Sequence, residues 1–186
     1  KKKNLNKNKK EKINLLAAIF DEHSVNILSF HRLAKFKNFN QQKIIQALKK
    51  KFKLEKKLKF KNPCDPGSVM IYLNKTWYNV SLTSNKKLYT KYETDTDIVE
   101  KIMINSIIKK QCNCSLVNLS NIPGKFDHKK LANEVDKGLA DIGFFICPLP
   151  MKKIMSIADK GKIVPKKSTY FDPKPADGLV NLLMDI

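Results

Sequence analysis

The run Val25–Leu33 constrains the fold of this chain more than any other feature. In an extended strand successive side chains point to opposite faces, and here both faces are apolar. One face carries Val25, Ile27 and Leu33, and the other carries Leu28 and Phe30. Such a pattern is typical of a strand in the interior of a sheet. We also expect this strand to pair antiparallel with the preceding apolar run at Ile13–Phe20.

Strand and helix patterns alternate along the rest of the chain. A 3.6-residue apolar period predicts helices at 40–52, 94–110, 127–137 and 151–160, capped by Asn38 or Asn40, by the run Thr94–Asp97 with its two aspartates, and by Asp127. Strands are predicted at 69–73, 77–82, 114–119, 140–147 and 179–184. This interleaving predicts a mixed α/β (α+β) domain over residues 13–186, behind a basic low-complexity segment at 1–12. The domain is expected to be single or the C-terminal part of a larger two-part protein.

The net charge of +20 comes almost entirely from lysine, since Arg32 is the only arginine. Proteins that read nucleic-acid sequence favour arginine for bidentate contacts, so the lysine bias indicates an AT-rich coding sequence instead. Two clusters, Lys1–Lys12 and Lys49–Lys61, hold much of the charge, and the second is expected to be irregular after a helix end. Specific nucleic-acid binding is therefore not expected.

Several other classes of function are disfavoured by the sequence. The four cysteines and three histidines lack the spacing of a zinc site, so we predict reduced structural thiols and no metal. No apolar run approaches the ~18 residues that cross a bilayer, and no secretory signal is seen. These features predict a cytoplasmic protein without membrane contact. No catalytic triad or paired carboxylate site is apparent.

The closing segment Gly161–Val180 is the strongest candidate for a binding site. It brings together Lys167, Ser168, Thr169 and Lys174, whose amine and hydroxyl groups suit a phosphate or carboxylate. Three of the four fixed positions of a P-loop match, but the segment follows a helix and precedes a predicted strand, which is the reverse of a P-loop. An anion-contacting loop of another kind and a solvated basic loop that closes the domain both remain open.

The same segment resembles the closing signature of the domain-of-unknown-function family "DUF ten-fifteen". That signature, P-P-K-S-T-x-F-x-P-K-x-x-x-G-L, matches from Pro165 onward, with Lys166 in place of the second proline. The stretches Gly143–Pro150, Ile154–Gly161 and Asn26–Leu33 are similar to further motifs of the family. The resemblance extends from about Ile13 to Val180. A D-G-H-H-R motif of the family would precede this range and is not found in the chain.

The resemblance implies that the chain is a part of a longer protein, completed by a missing N-terminal half or a companion chain. The G-H-H-R motif is similar to that of ParB and sulfiredoxin-like folds, some of which bind nucleotides and some of which phosphorylate free serine. By analogy, the complete protein is expected to be a small-molecule phosphotransferase that uses ATP or another phosphate donor with Mg²⁺. The fragment alone is expected to be inactive, and its catalytic residues are not identified.

Two residues at the end of the interior strand join the candidate site. His31 and Arg32 point to opposite faces of the sheet, and ligands often bind at strand ends in mixed α/β folds. Arg32 is a candidate for a fixed phosphate or carboxylate contact, and His31 for a place in the site or a structural hydrogen bond. Lys167, Ser168 and Thr169 are expected to face a pocket shared with this strand end. The alternative function is a non-catalytic basic module that binds nucleic acid or an acidic partner.

Overall fold

A six-stranded antiparallel sheet is the centre of the molecule. The computed structural model describes residues 17–21, 23–62, 65–174 and 178. The strands lie in the order β3-β5-β4-β7-β2-β6. Their bounds are β2 Phe30–Lys37, β3 Lys53–Lys57, β4 Ser68–Leu73, β5 Thr76–Ser81, β6 Ser115–Pro123 and β7 Ile142–Ile146. A second, two-stranded sheet pairs β1 (Asn26–Leu28) with β8 (Tyr170–Asp172).

Helices connect the strands and cover the sheet. They are α1 Gln41–Lys49, α2 Lys86–Tyr89, α3 Asp95–Asp97, α4 His128–Asp136 and α5 Met151–Asp159, with a 3₁₀ turn at Leu82–Ser84. Helix α3 continues directly into a π-helix at Ile98–Gln111. The predicted helix at 94–110 is therefore present, but most of its length has the wider turn of a π-helix, and its buried residues are Ile98, Val99, Met103, Ile104, Ile107 and Ile108. The alternation of helices and strands confirms the predicted mixed α/β class.

The main core lies on the face of the sheet covered by α1 and the π-helix. Phe36, Ile71 and Phe144 of the sheet pack there against Ile44 of α1 and Met103 of the π-helix, and all five are nearly or fully buried. Burial of each such side chain is worth roughly 1.5–3 kcal/mol. This face therefore fixes β2, and with it the position of Arg32, which points to the same side.

The opposite face carries a smaller core beneath α4. Leu33, Met70 and Phe145 pack against Leu131 of α4. A Cβ atom on Gly143 would overlap the Leu131 side chain, so the close approach of α4 to β7 requires a glycine there. His31 lies on this side of the sheet, stacked on the Phe145 ring at 3.7 Å between centroids.

Several local predictions are confirmed. Asn40, Thr94 and Asp127 accept backbone hydrogen bonds as helix caps. The hairpin of β4 and β5 turns at Asn74 and Lys75. Trp77 and Tyr78 are packing residues, since each is only 8% exposed.

The predicted hairpin between Ile13–Phe20 and Val25–Leu33 is wrong. Residues 13–16 lie outside the described part of the chain, and residues 17–20 are exposed and form no strand. The predicted strand is divided at Ser29 into β1 and a longer β2, and β1 pairs with β8 instead. Strand β2 pairs with β6 on one edge and β7 on the other, so neither edge is left for residues 17–20.

The lysine-rich run after α1 is also not irregular as predicted. It contains β3, which pairs with β5 at one edge of the sheet. Lysine is tolerated there because an edge strand exposes much of its side-chain surface to water. The short β8 inside the closing segment was not predicted, and the strand predicted at Leu179–Met184 lies outside the described residues.

Candidate anion-binding site

The closing turn, residues 165–169, leads the chain from α5 into β8. Gly161 ends the preceding helix with a φ of 64°, and Lys167 has a φ of 55°. The Ser168 hydroxyl donates a 2.7 Å hydrogen bond to the carbonyl of Pro165, which closes the turn on itself. Ser168 is 4% exposed, whereas Lys167 is exposed and Thr169 is half-buried. The turn is thus held internally while the Lys167 amine stays in solvent.

Arg32 ties the closing turn to the sheet. Its Nη2 donates to the carbonyl of Lys166 at 3.1 Å, and its Nη1 donates to the carbonyl of Phe30 at 2.9 Å. Its Nε donates to the Glu100 carboxylate at 2.7 Å, and the Arg32 side chain is only 1% exposed. The guanidinium therefore contacts the π-helix, β2 and the turn at once, and it supports the turn from inside instead of reaching a ligand.

The Lys167 amine lies above an aromatic pair. It is 5.1 Å from the centroid of the Phe30 ring, within the range of a cation–π contact. The Phe30 and Tyr170 rings meet edge to face with centroids 5.6 Å apart. Lys125 approaches the same pair from the loop after β6, with its amine 5.9 Å from the Tyr170 ring. Each ring of this aromatic pair therefore has one lysine amine within 6 Å of its centroid.

Neither of these lysines forms an ion pair with a described residue. In the described part of the chain, the ion pairs of other lysines involve Asp97, Glu134, Asp141, Glu55 and Glu93, and none involves Lys125 or Lys167. The loop that carries Lys125 is fixed close to β1 and β2, since a Cβ on Gly124 would overlap the carbonyl of Ser29. The two positive charges are thus placed by the fold and remain available to an anion.

His31 is not part of this cluster of charge. Its Nδ1 accepts a hydrogen bond from the Ile146 amide at 3.2 Å, and its Nε2 is buried without a partner among the described residues. Burial, followed by the nearby Arg32 charge, lowers the pKa of His31 to about 3. The imidazole is therefore neutral at physiological pH and faces the opposite side of the sheet from Arg32. Its described contacts are the Ile146 hydrogen bond and the stacked Phe145 ring.

The remaining predicted site residue is Lys174, which lies two residues beyond β8 and is exposed. The structure gives it no described contact with the closing turn. Lys167, Ser168 and Thr169 are therefore brought together with the end of β2 through Arg32, while Lys174 and His31 are not drawn into the same cluster.

A buried carboxylate beneath the turn was not expected from the sequence. Asp95 accepts a hydrogen bond from the Gly67 amide at 2.7 Å, while Thr94 alone caps the helix. Asp95, Thr96 and Ser168 line a cavity of about 10 Å³. Burial raises the pKa of Asp95 to about 6. Sequence reasoning assigned Asp95 to the cap because the T-D-T-D run offers several capping side chains and no signal of which one turns inward.

The described residues contain neither a cluster of metal-ligating side chains nor a helix that could span a membrane. No group of three or more His, Cys, Asp or Glu side chains that could hold a metal ion occurs in the part of the chain that is described. Cys112, Cys114 and Cys147 are buried. Among the described helices, none has the length and apolar character needed to cross a bilayer.

The family is established by a match to residues 1–105, which fit the family described as "Protein of unknown function (DUF1015)". The chain belongs to this family. The closing signature at Pro165–Leu179 lies beyond the matched residues, and the similarity to ParB and sulfiredoxin-like folds stays a prediction. No curated protein matches the chain.

Solved structures that the chain partly resembles include a free serine kinase in complex with AMP, at 14% identity and a TM-score of 0.45. A mutant of free serine kinase in complex with ADP is 12% identical with a TM-score of 0.44. A conserved hypothetical protein from Pyrococcus furiosus is 15% identical with a TM-score of 0.48. The match covers 81–82% of this chain and 55–57% of theirs, so the chain spans little more than half the length of these proteins.

Proposed function

We propose that this DUF1015 chain binds a phosphate-bearing small molecule at the closing turn and is the binding part of a small-molecule phosphotransferase. The phosphate donor of the complete protein would be ATP or a related compound. The observation that carries the proposal is that Lys125 and Lys167, neither of which pairs with a described acidic residue, each approach one ring of the Phe30 and Tyr170 pair.

The residue types suit a phosphate ester with a planar group. Lysine binds phosphate as a mobile point charge, and Thr169, two residues after Lys167, carries a hydroxyl that is a further donor. Aromatic rings stack on nucleobases, with about 1–3 kcal/mol per base in measured cases. A ligand with phosphates for the lysines and a ring for Phe30 and Tyr170 would use both halves of the cluster.

Arg32 contributes by ordering the turn. A turn that is already fixed loses less conformational entropy when a ligand binds, so more of the contact energy appears as affinity. The buried bond from Arg32 to the Lys166 carbonyl provides this order without using a donor of Lys167 or Thr169. Arg32 is therefore a positioning residue in this proposal, and it does not contact the phosphate.

Turnover requires groups that the closing turn does not provide. Lysines and hydroxyls stabilise phosphate charge, but phosphoryl transfer also needs a group that orients or deprotonates the acceptor. Mg²⁺ commonly takes one or two carboxylates, substrate phosphates and water as ligands. We therefore expect the chain alone to bind phosphate compounds without transferring phosphate, and robust product release from ATP or pyrophosphate by the pure chain would contradict this expectation.

Isothermal titration of the full chain with pyrophosphate, ADP and ATP tests the proposal. Lys167→Ala should weaken binding by about tenfold, which corresponds to about 1.4 kcal/mol, because it removes one of the two amines. The melting temperature should hardly change, since Lys167 is exposed. Lys75→Ala is a matched control, because Lys75 is also an exposed turn lysine, with a φ of 56°. Equal losses in the two variants would contradict a specific site at the closing turn.

A further inference from the structure

Strand β6 is one of the two edge strands of the described sheet, and unlike β3 at the other edge it carries no lysine. Strand β6 is nine residues long and pairs only with β2, at one end of the sheet order. No described strand pairs with its other edge. Val117 is 56% exposed and Leu119 is 36% exposed on this strand. The backbone amides and carbonyls of an unpaired edge are a ready template for a further strand.

The strand is also free of charge, unlike the rest of this chain. Its sequence, Ser115–Pro123, contains no lysine, aspartate or glutamate, although 29% of all residues are charged. The opposite edge strand, β3, carries Lys53, Lys56 and Lys57 around Glu55. Lysines on an edge strand prevent pairing between copies, because strand addition would bring like charges together. Only the β6 edge lacks this protection among the two edges of the described sheet.

The residues of β6 repeat nearly symmetrically about Leu119. When two copies of the strand run antiparallel with this residue at the centre, Leu119 opposes Leu119 and Asn118 opposes Ser120. The register of β6 with β2 shifts at Val117, so the symmetric pairing is confined to the centre of the strand. Matched cross-strand pairs such as Leu119 with its own copy stabilise a sheet.

We propose that two copies of this chain associate through antiparallel pairing of their β6 strands, centred on Leu119. The six-stranded sheets would then form one continuous sheet across a twofold axis. A second copy fits this edge because β6 has no charged residues, so pairing of two β6 strands brings no like charges together. The proposal is independent of the function proposed for the closing turn.

The charge of the chain predicts how such a dimer depends on salt. Each copy carries a net charge of +20, so the two copies repel each other over the distance that salt leaves unscreened. Raising the ionic strength should therefore strengthen association. Binding of a polyanion would show the opposite dependence, since salt weakens contacts between lysine and phosphate.

Sedimentation velocity over a range of concentrations of the full chain tests for the dimer at low and high salt. We expect a concentration-dependent dimer that tightens with salt, and association at least about tenfold weaker in Leu119→Lys, which would place two lysines opposite each other. Leu58→Lys makes the same change at a side chain that is 98% exposed and outside the strands, and it should leave association unchanged.

Cysteine cross-linking tests the register separately. Residues directly opposite each other across antiparallel strands have Cβ atoms about 4.5–5.5 Å apart, and the closest of these pairs approach the roughly 3.5–4.5 Å that a disulfide spans. Leu119→Cys should therefore form a covalent dimer under mild oxidation, whereas Val117→Cys, which faces Asn121, should not. Circular dichroism would confirm that both variants are folded.

Three results would overturn the proposal. The first is a chain that stays monomeric at all concentrations tested. The second is a dimer that Leu119→Lys and Leu58→Lys weaken equally. The third is a dimer in which cysteines at residues 117 and 119 cross-link equally fast, because pairing centred on Leu119 places only residue 119 opposite its own copy.

Discussion

Among the described residues, two exposed turns hold a lysine in the left-handed conformation, and they differ in how the backbone is held and in what surrounds the amine. Lys75 has a φ of 56° and Lys167 a φ of 55°. At the β4–β5 hairpin, Asn74 also has a positive φ, as a tight turn between twisted antiparallel strands requires. The closing turn joins no hairpin, and it is held instead by the Ser168 and Arg32 hydrogen bonds.

The surroundings of the two amines differ as well. Lys75 lines a cavity together with the acidic residues Asp136 and Asp141. Lys167 lies over Phe30, near the second lysine Lys125 and the Tyr170 ring. A left-handed lysine therefore does not by itself indicate a binding site. The buried Arg32 side chain and the second amine, that of Lys125, distinguish the closing turn from the hairpin turn.

Substitution of Arg32 should have the largest effect on stability. Arg32→Lys keeps the charge but cannot make three hydrogen bonds from a planar fork to Glu100, Phe30 and Lys166. Unsatisfied buried carbonyls and the lost bonds to the half-buried Glu100 should lower the free energy of unfolding by about 2–4 kcal/mol. Phosphate binding should fall as well, because the closing turn is no longer fixed.

Lys35→Arg on the same strand is the control for this change, measured by denaturant unfolding. Lys35 forms an ion pair with Asp141 at a partly exposed position, so its replacement by arginine should change stability by less than about 0.5 kcal/mol. A stable Arg32→Lys chain with unchanged phosphate binding would show that the turn does not depend on Arg32.

The buried carboxylate beneath the closing turn should have the next largest effect. Burial raises the pKa of Asp95 from 3.8 to about 6, so between these pH values the folded chain binds more protons than the unfolded chain. The free energy of unfolding therefore falls as pH rises through this window. Asp95→Asn should remove this fall and raise stability at about pH 7 by on the order of 1–3 kcal/mol, with little gain near pH 4.

His31 should change the pH dependence of the free energy of unfolding in the opposite direction to Asp95. Its pKa is lowered from 6.5 to about 3, so the unfolded chain binds the extra proton and stability is lost as pH falls through this range. His31→Asn, whose amide oxygen can replace Nδ1 as the acceptor for Ile146, should flatten the acid side of the profile. If both variants shifted the profile in the same direction, the assignment of the two groups would be wrong.

Glycine at the two left-handed lysines should have the smallest effect. A residue with a side chain pays roughly 1–2 kcal/mol in this conformation, and glycine does not. Lys75→Gly and Lys167→Gly should therefore each be more stable than the corresponding alanine variant, by about 1 kcal/mol, in thermal unfolding. Only the change at Lys167 should weaken phosphate binding. A difference in stability between the two positions would indicate that their backbones are not equally strained.

The sequence predicted the parts of this molecule that depend on local chemistry. Asn40, Thr94 and Asp127 cap helices because their side chains bond nearby amides, and the β4–β5 hairpin follows from a turn between two apolar runs. The pairing of β1 with β8 could not be predicted, because it joins segments that are more than a hundred residues apart. The lysine-rich β3 was missed because edge pairing overrides the polar pattern of its residues.

The candidate site was predicted only in outline. Lys167, Ser168 and Thr169 were visible as a group of anion-binding residue types, and Arg32 stood out as the only arginine. Its inward role, the neutral state of His31 and the arrival of Lys125 from the loop after β6 all depend on tertiary contacts. No local pattern marks Phe30 and Tyr170 as partners, because a strand aromatic is more often a core residue.

The central claim is that the closing turn, and not lysine charge in general, binds phosphate, and chemical-shift mapping of the full chain with pyrophosphate tests it most directly. The amide signals of Lys166–Thr169, Tyr170 and Lys125 should shift together and saturate at one concentration. Those of Asn74 and Lys75 should shift little at the same salt concentration. Shifts of similar size at both turns, rising without saturation, would contradict the claim and indicate nonspecific attraction to a chain of +20 net charge.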